Sequence, residues 1–300
     1  MTLSVRPALL LLLGALPAGP LASQEVSWEG GLSVSSGHYY FTERTTSWSL
    51  SSGLAWRHGV VSLRAGLPVV LQNTTLLTSG IAGSLPTGGQ GEGSRTLGDS
   101  SQARHDRKTG GGGGGGGGGM PSTLQTASGV QAPASSLTGY FVDIGDPTFQ
   151  IGVSPRLGSR TILGLTGTVK APVSEHGTGA WDVGGSVSLS GSVGPRLLLM
   201  VDAGYWHLGD LPDLDLQDPW LGSSSIAILL GRGWGWSVTG SASGSVVAEF
   251  DDSYSIGTGL THVGGRGSFG ISAMFGLTEA APDLSLGLSW QQRLGARTQP

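Results

Sequence analysis

From about residue 25 onward the chain repeats one unit: a stretch in which apolar and small polar side chains alternate, then a short break, then another such stretch. In the stretch from Trp181 to Val193, one parity holds Trp181, Val183, Gly185, Val187, Leu189, Gly191 and Val193. The other holds Asp182, Gly184, Ser186, Ser188, Ser190 and Ser192. A period of two is the mark of a strand with one greasy and one wet face. The same split recurs from Trp236 to Phe250, from Phe269 to Leu277 and from Leu284 to Trp290. It predicts strands over 26–40, 47–57, 60–71, 145–157, 160–173, 179–193, 196–208, 219–231, 235–250, 253–263, 267–278 and 283–293.

A β-sandwich alternates too, so the breaks between strands decide the architecture. They form two classes that keep step along the chain. One is short and carries glycine and arginine, as in Arg57-His58-Gly59, Gly194-Pro195-Arg196 and Gly264-Gly265-Arg266-Gly267. The other is longer and often acidic, as in Ser174-Glu175-His176-Gly177-Thr178 and Asp251-Asp252. Short turns at one end and long loops at the other describe an all-β fold, a transmembrane antiparallel up-and-down β-barrel of about twelve strands. Aromatics on the greasy parity sit near strand ends (Trp28, Tyr40, Trp48, Trp56, Phe149, Trp181, Tyr205, Trp220, Trp236, Phe250, Tyr254, Phe269, Trp290), as in the interfacial girdles of such barrels.

Composition sharpens this picture. Only 12% of the 300 residues are charged and 55 are glycine, far from a helix-rich soluble core. Beyond the N-terminus no apolar run has the length of a transmembrane helix. A net charge of −4 with no basic stripe speaks against a nucleic-acid partner, and zero cysteines exclude thiolate chemistry.

At the N-terminus, Arg6 precedes the apolar run Ala8 to Leu16, and the small residues Ala22 and Ser23 follow. Residues 1–24 therefore read as a secretory signal peptide and 25–300 as the barrel. The barrel is interrupted by 72–138, a Gly/Ser-rich segment with ten consecutive glycines from Gly110 to Gly119. Too poor in apolar residues to offset the entropy of ordering, it is expected to be a disordered extracellular loop.

Several short motifs carry a resemblance: Gly145-Asp146, Gly167-Thr168-Val169-Lys170-Ala171-Pro172, Gly177-Thr178-Gly179 with Asp182, and Asp202-Ala203-Gly204-Tyr205. Through them about half the chain resembles the outer-membrane barrel family of the MetA-pathway of phenol degradation, whose members are labelled transporters. It departs in having Ala171-Pro172-Val173 where the family has a Pro-Thr-Gly turn, in its enlarged third loop, and in lacking a final aromatic. The resemblance implies location and architecture and leaves the solute open.

No catalytic constellation emerges. His38, His58, His105, His176, His207 and His262 are isolated, with no pair at metal-ligand spacing. Neither cofactor nor enzyme activity is expected. His207, on the greasy parity near a strand end, is the one candidate for a lipid hydrolase of the outer-membrane phospholipase type. The wet parity is mostly Ser, Gly and Thr, too small to fill a twelve-stranded interior, so a lumen is expected. Its charged lining would be Glu29, Arg64, Asp146, Lys170, Asp182, Asp202, Glu249 and Asp283. These either pair with one another along the wall or border a narrow path for cations or neutral solutes. The expected function is passive or facilitated passage of small solutes, hydrophobic ones among them, across the cell outer membrane. The expected partners are outer-membrane lipids, a solute the sequence does not name and the barrel-assembly machinery. A non-conducting structural or surface-interaction barrel is the alternative, and a lipid hydrolase the third reading.

Overall fold

The computed structural model describes residues 24–40, 44–73, 77–80, 83–86, 140–173, 180–209, 216–248 and 250–294. Its regular elements are strands: β1 (Gln24–Gly37), β2 (Thr45–His58), β3 (Val61–Gln72), β4 (Leu77–Gly80), β5 (Gly83–Pro86), β6 (Phe141–Ile144), β7 (Thr148–Val153) and β8 (Thr161–Lys170). They continue with β9 (Asp182–Val193), β10 (Leu197–His207), β11 (Trp220–Gly231), β12 (Trp234–Ser243), β13 (Ser253–Gly264), β14 (Gly267–Gly276) and β15 (Leu284–Leu294).

Within β1–β3 and within β7–β15 each strand pairs antiparallel with its sequence neighbours, β3 pairs with β7, and β15 returns to β1 from Val26↔Leu294 to Ser36↔Leu284, closing the sheet. β6 and β7 both pair with β3 and make one stave of the wall, while β4 and β5 form a separate hairpin. The result is the twelve-stranded up-and-down barrel that the alternation and the two classes of break predict. Closure removes the unpaired edges that a bilayer would not tolerate.

Several boundaries differ from the sequence reading. β1 stops at Gly37 instead of running to 40, because Tyr39 and Tyr40 take left-handed backbone angles (φ 47° and 71°). β12 stops at Ser243 instead of running to 250: beyond Gly244 the Ser245 hydroxyl closes a turn onto the Val247 carbonyl (2.6 Å), and the Asp252 carboxylate accepts the Ser245 N–H (3.0 Å). The stave expected over 145–157 is broken at 145–147. There Pro68 and Pro147 withhold N–H donors from facing strands, and the register shifts by one residue between Val69↔Ile144 and Gly66↔Thr148. The stave expected over 160–173 ends at Lys170. The leader expected over 1–24 falls outside the described residues except Gln24. Most of 72–138 also falls outside them, apart from the β3 terminus and the β4–β5 hairpin.

The register assigns the two faces. Val187, Leu189, Val201, Ile226, Ile256, Ile271 and Leu286 point outward and are exposed, an apolar surface far beyond what a water-soluble monomer presents. Two of its indoles are satisfied in place: Trp28 Nε1 donates to Ser52 Oγ (2.9 Å) and Trp236 Nε1 to Thr258 Oγ1 (2.8 Å). Aromatics rim this band at both ends, Trp48, Trp181, Tyr205, Trp220 and Tyr254 near the loops and Trp28, Trp56, Trp236, Phe269 and Trp290 near the turns. Trp48 and Trp56 are eight residues apart on β2, roughly 27 Å of extended chain and about 20 Å of height at the tilt of roughly 40° usual in such barrels, a little under an apolar band about 25 Å tall.

Candidate functional site

The inward face begins as the alternation anticipates. Ser33, Ser49, Ser51, Gly53, Gly66 and Thr148 line a chamber of about 730 Å³ in the loop half of the barrel. Small side chains leave this space because a twelve-stranded barrel is wider than serine and glycine can fill.

Over the chamber the described parts of the β1–β2, β10–β11 and β12–β13 connections fold inward. Tyr40, Trp206, Leu208, Leu216, Val246, Val247 and Phe250 form one buried apolar cluster. Tyr40 stacks on Phe250 with ring centroids 4.5 Å apart, and its hydroxyl accepts the Asp251 N–H (2.8 Å). Tyr40 follows β1 and Trp206 belongs to β10, six strands away around a ring of twelve, so the cluster reaches across the full width of the mouth. Trp206 turns inward over Gly184, where even a Cβ would fall 1.7 Å from its ring. This plug corrects two expectations: Tyr40 and Phe250 do not face lipid, and Val246 is 6% exposed rather than on an outer strand surface.

The sequence-derived charged residues separate into groups. Lys170 Nζ lies 3.0 Å from Asp146 Oδ2 and 2.7 Å from Asp182 Oδ2, and none of the three side chains is more than 3% exposed. The remaining carboxylate oxygens are used as well: Asp146 Oδ1 accepts the Val173 N–H (2.7 Å) and Asp182 Oδ1 the Gly209 N–H (3.0 Å). The cluster thus ties β8, β9 and the chain on either side of them at the loop end. Glu29 meets Arg64 (3.6 Å) and accepts the Gln291 amide (2.8 Å) on the lumen wall. Asp202 points inward between Ser188 and Ser223, six strands from Glu29. Asp283 stands at the loop end with Arg44 (2.7 Å) and His38 (3.3 Å). Glu249 lies outside the described residues.

His207 faces outward, with Nδ1 3.1 Å from both oxygens of Asp218. Tyr205 donates to the same carboxylate (3.3 Å), as does the Leu208 N–H (3.1 Å). The His207 hydrogen bond and the backbone donor hold the Asp218 carboxyl below the usual carboxylate range. The hydroxyl in this network is a phenol, and no serine joins it among the described residues. No group of three or more His, Asp or Glu able to hold a metal occurs among the described residues.

With this geometry in place, the chain can be set beside solved structures. It resembles an outer membrane channel from Pseudomonas putida F1 at a TM-score of 0.58, with 11% identity, 93% of this chain and 97% of that chain covered. The toluene transporter TodX of P. putida (TM-score 0.46, 12% identity, 92% of each chain) and the NanC porin (TM-score 0.45, 10% identity, 90% of this chain and 100% of that one) are more distant. Neither protein-family models nor curated protein sequences match. In architecture the chain is a closed twelve-stranded antiparallel β-barrel like the P. putida F1 channel. At 11% identity the likeness concerns the fold, and the plug and the Lys170 cluster are described by this chain's own side chains.

What the sequence analysis missed is the plug. Two signals for it existed: Gly244 interrupting an otherwise alternating run, and the doubled aspartate Asp251-Asp252, which supplies turn and cap acceptors.

Proposed function

We propose that this barrel is an outer-membrane channel for passive or facilitated passage of small solutes, hydrophobic ones among them, held shut at its outer mouth by inward-folded loops. One observation carries this reading: a closed barrel whose interior is lined by serine, threonine and glycine around a chamber of about 730 Å³. A barrel serving only as a scaffold has no physical need of a hollow, hydroxyl-lined interior, since bulky side chains would stabilise it better. The resemblance to the phenol-degradation barrel family supports an outer-membrane location, and the likeness to an outer membrane channel of P. putida supports the same role.

In this reading the long loops face outward and the short turns face the periplasm. The chain is exported by its leader and inserted by the barrel-assembly machinery, and the 72–138 segment projects from the outer surface.

The Tyr40–Phe250 plug favours a second reading, a non-conducting barrel, because it spans the mouth. Refolded protein in planar bilayers and in liposome-swelling assays separates the two. Discrete conductance steps together with solute-dependent swelling support the channel; a silent bilayer and no swelling with any solute class refute it. A phospholipid-hydrolysis assay on the same sample tests the His207–Asp218 pair, and turnover abolished by His207→Ala would replace the channel by an enzyme.

A further inference from the structure

The charges of the described residues are sorted by end. Apart from Arg44, Arg64 and Lys170, every described basic side chain lies at the turn end: Arg57, Arg156, Arg160, Arg196, Arg232 and Arg266, with Arg293 beside them. Each of the five hairpin turns at that end, β2–β3, β7–β8, β9–β10, β11–β12 and β13–β14, carries or adjoins at least one of the six. They are therefore distributed around the rim rather than gathered on one side. All six are exposed and none is in an ion pair among the described residues; Arg57, on the inward parity of β2 opposite Glu25, faces the lumen, and the other five lie in the turns themselves. The one described acid at this end, Glu25, is taken by Arg293 (2.6 Å). Asp146, Asp182, Asp218, Asp251, Asp252, Glu279 and Asp283 all sit at the other end.

Two further features place this rim at headgroup depth. The outward aromatics Trp28, Trp56, Trp236, Phe269 and Trp290 lie immediately on the membrane side of it, and Trp and Tyr mark the boundary of the hydrocarbon. Arg232 also occupies the tip of the β11–β12 turn at φ 51°, between Gly231 (φ 95°) and Gly233 (φ 82°). Asparagine or glycine fits that left-handed position with less strain, so this turn accepts a local cost to present a guanidinium.

We propose that the arginine rim is a binding surface for anionic phospholipid headgroups of the leaflet on the turn side, gripping phosphate oxygens along the turns and fixing the barrel's depth and direction in the bilayer. Guanidinium suits this partner because its planar fork matches phosphate oxygens in pairs and remains charged at any physiological pH. The five turn arginines from Arg156 to Arg266 are in no ion pair among the described residues and meet a negatively charged surface along the turns from β7–β8 to β13–β14. The proposal is independent of whether the lumen conducts.

The test uses the full chain refolded into phosphatidylcholine vesicles with and without phosphatidylglycerol. Lipid retained on the extracted barrel is read by native mass spectrometry, and stability by the urea midpoint. The wild type should retain phosphatidylglycerol over phosphatidylcholine and unfold at higher urea in the anionic vesicles, with the gain shrinking as salt is added. In R160Q/R196Q/R232Q/R266Q the preference should fall by roughly fivefold for each arginine neutralised, whereas R44Q at the loop end should keep it. If the quadruple variant does not insert, R196Q/R266Q asks the same question with a smaller perturbation. A phosphatidylglycerol preference unchanged in either variant, or lost equally in R44Q, overturns the proposal. So does equal stabilisation of the barrel in uncharged micelles by inorganic phosphate alone, which would make free anion rather than a lipid surface the ligand.

Discussion

Lys170 and Asp182 are register partners on adjacent strands, and their side chains meet at 2.7 Å with almost no exposure to water. An ion pair so enclosed depends on being complete, because either charge left alone keeps its desolvation penalty and loses its compensation. Lys170→Met leaves Asp146 and Asp182 both buried without a cation and should destabilise the barrel by about 3–5 kcal/mol. Urea unfolding in vesicles measures it. The triple change K170M/D146N/D182N should recover much of the loss, and a single variant within about 0.5 kcal/mol of wild type would show that water reaches the cluster.

Asp202 provides the contrast. It points into the lumen between two serines and joins no ion pair among the described residues, so removing its charge should leave the urea midpoint nearly unchanged. In a conducting barrel Asp202→Asn should lower the cation preference of the reversal potential under a salt gradient. Unaltered selectivity would mean that solutes do not pass this wall.

The outer face is tested by a pair of adjacent positions on β9. Val187→Arg or Leu189→Arg puts a charge on the surface facing hydrocarbon and should cost roughly 2–4 kcal/mol, while Ser188→Arg faces the lumen opposite Asp202 and should be nearly neutral. Equal tolerance at neighbouring positions, read from the folded fraction by gel mobility, would contradict the lipid assignment.

The plug makes its own prediction about conduction. Phe250→Ala removes the ring that stacks on Tyr40, and Gly184→Val displaces Trp206 from the space it occupies. Both should raise the open probability or conductance in planar bilayers, because each loosens the cluster from a different side of the mouth. Unchanged currents from both variants would locate the closure elsewhere.

A pH dependence follows from Asp218, which lies on the loop before β11. Because its hydrogen bonds lower the folded-state pKa below the unfolded value, its contribution is fully present above the ordinary carboxylate pKa. It is lost as pH falls through the depressed folded value. Stability measured from pH 6 downward should therefore fall in the acid range near pH 4 and below, and Asp218→Asn should remove that part of the fall while leaving the neutral plateau's shape intact.

The sequence by itself determined the barrel. The period-two alternation settles which side chain of each strand faces lipid, and the strict alternation of short and long breaks settles the topology, because both are local properties that survive closure of the sheet. Val187 outward and Ser188 inward follow from counting alone. The alternation also put Lys170, Asp182 and Asp202 on one inward face, but parity states only direction. Whether an inward carboxylate meets water or a buried ammonium depends on what lies across from it and above it. Tertiary structure decided that Asp182 is packed against Lys170 beneath the folded loops, whereas Asp202 lines the wall. It also decided the plug: Tyr40, Trp206 and Phe250 come from three segments far apart in the chain, and their contact exists because closure of the ring brings the loops over the same opening. Strand parity points Trp206 inward, as its pairing with Gly184 requires, but it is silent on Tyr40 and Phe250, which lie beyond the last ladder pairs Gly37↔Thr45 and Ser243↔Ser253 and go where apolar surface can be buried.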